Sequence, residues 1–352
     1  MKRNYGIDLF RIVAMFMIVI IHVLAEGEEL WYVQYFSVNY YVVWFMYMFV
    51  YCGLDCFGLI SGYVGYNSKF KPSKLAKMWL QMVFYGILFM AVFCLISKDN
   101  FDVSLLKKAI MPITQSEYWY LKVYFIVFLV MPFINAGINY VDKRTLEIAL
   151  IALFILFTVP SLLTYTDIFG INEGYSVVWI GYLYMVGAYL GKYDVAVKFG
   201  KKKALRLLIA TFAINFVAKV GLEFVSNKIY VEARFGYHFV NHASPFMALE
   251  AIALLMVFAN LKVKESKAIK SISAATLGVY MVHMNPYIHN QVLKDCTKSL
   301  VNENAFILVG VTLLFSIGFF VLGTVLEEIR IKIFETLRIT KLCEKIDKGL
   351  GL

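Results

Sequence analysis

Arg11 and His22 share one apolar run, Leu9 to His22, with no other charged residue between them. An imidazole can take a proton from a hydroxyl near neutral pH, or carry an acyl group on a ring nitrogen. A guanidinium holds carboxylate or phosphate. Eleven residues are almost three whole helical turns, so both side chains project from one face, about 16 Å apart along the axis. An Arg at the centre of a membrane helix costs about 2.5–3.5 kcal/mol on insertion scales, and a site working inside the bilayer is the usual compensation. Plainer roles exist for both residues: Arg11 as an anchor paired with Asp8, which lies three residues earlier on the same face, and His22 as an interfacial histidine bonded to a carbonyl.

Other polar groups in apolar runs fall into two sets. Asp8, Arg11 and Asp55 are expected near the cytoplasmic side. His22, Lys122, Lys219, Glu223, Glu250 and His283 are expected in the outer half, with His238, His242 and His289 in outer loops or span ends. Lys219 and Glu223, one turn apart, read as a self-neutralising pair. His283 could equally be an interhelical hydrogen-bonder.

Membrane helices must position these groups. The chain has 352 residues, 61% hydrophobic and 16% charged, too little charge for a soluble protein of this size. The apolar stretches are continuous rather than alternating, so the expected class is an all-α polytopic membrane protein. Ten transmembrane helices are expected at 7–25, 40–62, 78–97, 117–136, 147–163, 175–191, 204–225, 244–261, 272–290 and 304–326. Both termini are expected to be cytoplasmic, because that arrangement puts 24 of the 34 Lys and Arg in inner segments and seven in outer loops. The net charge of +10 is thereby read as topology rather than nucleic-acid binding. Residues 1–326 are expected to form one transmembrane domain, and 327–352 a basic amphipathic tail on the inner surface. The start, Lys2-Arg3 followed by an apolar stretch and Val23-Leu24-Ala25, has the outline of a signal peptide; Asp8 and Arg11 at the entrance of the run argue against it. Five cysteines offer neither an outer disulfide framework nor a metal-binding spacing, and no metal is expected. The aromatic segment from Trp31 to Trp44 reads as an interfacial belt, or less simply as a stacking surface for sugar rings.

Four ordered segments resemble the acyltransferase 3 family of integral membrane acyltransferases. They are Asp8-Leu9-Phe10-Arg11 with His22; Leu54 to Tyr63, ending Ser61-Gly62-Tyr63; Tyr118-Trp119-Tyr120-Leu121; and Ser271 to Ser273 with Leu277 to His283, which holds a Tyr280-x-x-His283 pattern. Cys56 and Gly58 depart from the family's aromatic-rich second span. The resemblance implies transfer of an acyl group, usually acetyl, from cytoplasmic acyl-CoA to a hydroxyl of an extracytoplasmic glycan or glycolipid, with Arg11 and His22 essential. The matching segments add Ser61 to the inner, donor-binding set of Asp8, Arg11 and Asp55. They also add Trp119 and Tyr280 to the acceptor-side candidates Lys122, Glu250, His238 and His242. The CoA phosphates suit the basic inner loops, and the pantetheine arm is about as long as the Arg11-to-His22 rise. His22, Arg11 and His283 are the expected catalytic residues, with His283 or Glu250 orienting His22. Expected partners are the bilayer of a bacterial plasma membrane, the glycan and polysaccharide-biosynthesis machinery. The competing readings are a transporter or flippase of a polysaccharide precursor and a non-catalytic export subunit; no matched, broken-helix repeat supports the former.

Overall fold

The computed structural model describes residues 3–98, 101, 103–115, 118–164, 166–229 and 233–351. It is 81% helix, with no strand among the described residues. In chain order the helices are α1 (Tyr5–Glu26), α2 (Glu29–Tyr32), α3 (Val38–Tyr51), α4 (Gly53–Gly65), α5 (Pro72–Ile96), α6 (Val103–Ile110), α7 (Trp119–Tyr140) and α8 (Lys143–Leu163). There follow α9 (Val177–Lys192), α10 (Val195–Phe199), α11 (Lys201–Lys228), α12 (Pro245–Ala259), α13 (Lys267–His283), α14 (Pro286–Ile288), α15 (Ala305–Thr336) and α16 (Ile339–Gly349).

Among the described residues, seven segments are long and apolar enough to cross a membrane: α1, α3 with α4 as Val38–Gly65, α5, α7, α8, α11 and α15. A helix lies at each of the other three expected spans too, but α9, α12 and α13 have only 16, 15 and 17 residues. Large apolar side chains such as Phe133, Ile148, Leu314 and Phe306 stand exposed on the long helices. Lipid in place of water makes such faces stable. The chain is a membrane protein.

Two compact units make up the fold. The first comprises Met1–Ile18, Phe45–Ser68 and Leu129–Ile269; the second comprises Val19–Trp44, Lys69–Phe128 and Lys270–Leu352.

In the first unit, α4 and α9 pack backbone against backbone. Gly58 and Gly62 on α4, and Gly187 and Gly191 on α9, are each four apart, the spacing that lets membrane helices touch through small residues. A Cβ on Gly62 would run into the Tyr184 carbonyl, and one on Gly187 into that of Leu59. The Ser-Gly pair at 61–62 thus owes its glycine to helix packing. Asn135 locks the contact, donating to the Gly65 carbonyl at 3.0 Å and accepting from the Tyr184 hydroxyl at 3.0 Å. Asn4 caps α1, its Oδ1 accepting from the Gly6 N–H at 2.9 Å.

In the second unit Glu327 ties α5 to α15. Its carboxylate is 2% exposed and accepts from Gln81 at 2.9 Å, Tyr85 at 2.7 Å and both arms of Arg330 at 2.7 and 3.0 Å. A buried carboxylate so surrounded keeps its hydrogen-bonding capacity filled. Residue 327, where the tail was expected to begin, therefore lies inside α15, which continues to Thr336. After a left-handed Arg338 (φ 56°) the chain turns into α16. That helix docks on the start of α5: the Asp347 carboxylate accepts from the Ser73 N–H at 2.8 Å and hydroxyl at 2.6 Å, and Lys77 pairs with Glu344 at 2.8 Å.

Candidate active site

Within the second unit, the last turns of α1 and α13 place His22 beside His283. His22 Nδ1 lies 2.9 Å from His283 Nε2. His283 is fully buried, and its Nδ1 is 2.6 Å from the Val279 carbonyl one turn back. A carbonyl only accepts, so Nδ1 of His283 holds a hydrogen and, in the neutral ring, Nε2 is the lone pair. His22 must then donate from Nδ1. This chain assigns neutral His22 the Nδ1–H tautomer, with its lone pair on Nε2. His22 is only partly buried, so the ring is both fixed and reachable.

Aromatic rings form one wall. Tyr280, one turn before His283 in the Tyr-x-x-His pattern, has its ring centre 6.4 Å from that of His22 and 5.9 Å from that of His283. Tyr118 and Tyr120, at the start of α7, lie 6.0 and 6.2 Å from Tyr280. The Tyr118 hydroxyl donates to the Met281 carbonyl at 3.1 Å and accepts from Asn285 at 3.3 Å, pinning α7 to the end of α13. Trp119 stands edge-on to Tyr120 at 5.7 Å, and Lys122 follows half-buried on the next turn. Tyr118 is the member of this group that sequence reasoning missed as a site residue, although it heads the segment that carried the resemblance.

The first unit holds the rest. Asp8 is 4% exposed and lies between two guanidiniums, 2.6 Å from Arg3 Nε and 3.6 Å from Arg11 Nη1. The two guanidiniums and the carboxylate form one ion cluster, and a guanidinium is the group that suits an anion. The expected Asp8–Arg11 pair is present, with Arg3 the nearer partner.

Asp55 is not in that group. Its Oδ1 accepts from Trp179 Nε1 at 2.9 Å and lies 3.9 Å from His242 Nδ1. His242 is held by rings: Tyr51 stacks on it at 4.2 Å and 6°, and Tyr175 meets it edge-on at 5.1 Å. Burial pushes His242 down to about 3, so it is neutral at physiological pH.

Glu250 and Asn215 are buried nearby on α12 and α11; Glu250 Oε1 and both amide atoms of Asn215 have no hydrogen-bond partner among the described residues. Lys219 and Glu223 pair at 2.7 Å, as their spacing implied. Ser61 is half-buried on α4. His238 is buried, with Nδ1 2.9 Å from the Ser161 carbonyl.

The structure thus joins His22, His283 and Tyr280 in one unit. In the other it joins Asp8 with Arg11, and Asp55 with His242. No curated protein and no solved structure matches the chain. A family model described as an acyltransferase domain matches residues 4–327, a stretch containing every residue of these clusters but Arg3. Matched over nearly all of its length, and built of apolar helices that suit a bilayer, the chain belongs to the acyltransferase 3 family and is a membrane acyltransferase.

Proposed function

We propose that the protein transfers an acyl group, acetyl in the first instance, from cytoplasmic acyl-CoA to a hydroxyl of an extracytoplasmic or lipid-linked glycan, within a bacterial plasma membrane. The observation that carries this reading is the His22–His283 hydrogen bond, which leaves a fixed lone pair on His22 Nε2. In the proposed step the sugar oxygen attacks the thioester carbonyl carbon while its proton passes to His22 Nε2. The new C–O bond forms, the C–S bond breaks, and the leaving thiolate recovers that proton as the free thiol. His283 is the positioning residue: it holds the tautomer and supports the cation that forms on His22. Arg11, in the cluster with Arg3 and Asp8, supplies a guanidinium for an anionic part of the donor.

Ten spans with both termini cytoplasmic remain the topology proposed, on the distribution of Lys and Arg. The short lengths of α9, α12 and α13 are compatible with it. Eleven residues of α9, nine of α12 and nine of α13 are buried, and a helix surrounded by protein need not match the hydrocarbon thickness. A covalent relay through His22 is the variant of the mechanism.

Reconstituted protein supplied with acetyl-CoA and a glycan extract is expected to release free thiol and leave acetyl ester on the glycan. A transporter or passive export subunit would release none. Radiolabelled acetyl-CoA alone then separates the routes: label retained on the protein supports the relay, and its absence supports direct transfer.

A further inference from the structure

We propose that the first unit carries a subsite for a single uncharged sugar ring of the acceptor, between the 166–174 loop and the 238–243 loop. The inference rests on the glycan-acceptor reading above and narrows it. A cavity of about 150 Å³ opens there, walled by Asp167, Asn172, Glu173, His238, Asn241 and Phe169 among others. That is well below the roughly 300–1,000 Å³ of pockets for larger organic ligands, so it suits one ring rather than a chain of sugars.

The chemistry of the wall selects the ligand. Carboxylates, amides and an imidazole are groups that hydrogen-bond hydroxyls. Asn241 is 7% exposed and gives its amide hydrogen to the His238 carbonyl at 3.1 Å, but its Oδ1 has no donor among the described residues. A buried acceptor left so has lost its water without replacement, a cost that a ligand hydroxyl would offset. His238, on the same wall, is held by Nδ1 against the Ser161 carbonyl at 2.9 Å. Phe157 and Phe169, with ring centres 6.1 Å apart, supply the apolar surface that a sugar's C–H face requires.

Charge decides which sugars enter. Asp167 and Glu173 line the cavity, and no Lys or Arg does so among the described residues. An acyl-CoA phosphate, a uronic acid or a sugar phosphate is therefore repelled, whereas a neutral hexose is not. The loop is preformed. Asp167 accepts from the N–H groups of Ile171 at 2.7 Å and Asn172 at 2.9 Å. Gly174, at φ 99°, lies where a Cβ would strike His242.

The test is saturation-transfer NMR on the full chain in detergent micelles, without acyl-CoA. The probes are the methyl glycosides of glucose, galactose and mannose, and the methyl glycosides of glucuronic and galacturonic acid. Transfer to at least one neutral glycoside and to neither uronide is expected. Thr166→Trp, an exposed substitution at the cavity, is expected to abolish the signal, and Glu173→Arg to admit the uronides. Transfer unchanged in Thr166→Trp, equal transfer to neutral and acidic probes, or transfer to none would overturn the subsite. With no donor present the result does not depend on catalysis, so failure of acyl transfer and failure of this subsite are read separately.

Discussion

The reactive nitrogen proposed for His22 follows from two hydrogen bonds, one of them to a carbonyl that cannot donate. His283→Leu removes the acceptor for His22 Nδ1–H, and is expected to lower kcat by about 10²-fold with little change in the KM for acyl-CoA. His283→Gln, whose amide can replace both bonds, should recover part of that loss; a variant that merely loosened the fold would not show this split. Steady-state kinetics on the purified variants checks it. His22, Arg11, Asp8 and His283 were legible in the sequence because a charged or titratable residue in an apolar run stands out and helix periodicity gives its face. The partners of Asp55 were not. Trp179 and His242 approach it across 124 and 187 residues, contacts that helix periodicity does not register.

Helix contacts carry the next set of expectations. Gly62→Ala and Gly187→Ala place a methyl group against a backbone carbonyl on the facing helix. Each should lower stability by about 1–3 kcal/mol, whereas Gly181→Ala, on the same helix as Gly187 with open space around it, should not. Thermal unfolding in detergent compares them.

In the second unit, burial raises Glu29 to about 7, against the stabilising effect of Thr312. His289 is raised by its hydrogen bond to Glu26, 3.0 Å away. Folded Glu29 binds more proton than the unfolded chain between about 4.5 and 7, so stability falls as pH rises through that window and is flat above it. The His289 contribution is present below its ordinary value of 6.5 and is likewise lost as pH rises through the folded value. Unfolding at pH 5 and pH 8 should therefore show greater stability in acid, and Glu29→Gln should flatten most of the difference. No pattern in the sequence announced Glu29, since it sits outside the apolar runs, and its burial depends on Thr312 of a distant helix.

For the whole chain, the long helices were readable because about twenty apolar residues in succession have few other uses. The break at Cys52, the extension of α15 past residue 327 and the docking of α16 on α5 were not. Each depends on a tertiary contact or backbone turn that hydropathy does not register. The proposed topology predicts that a reporter fused after Leu352 is cytoplasmic, and that one inserted at Lys98 is exposed to the outside; protease accessibility in right-side-out and inverted vesicles distinguishes these.

The most direct measurement pairs acyl-CoA binding with thiol release in the presence of a glycan acceptor, on one preparation each of wild type and His22→Ala. The account predicts binding retained and turnover lower by about 10²- to 10⁴-fold in His22→Ala. Full turnover in that variant would contradict it.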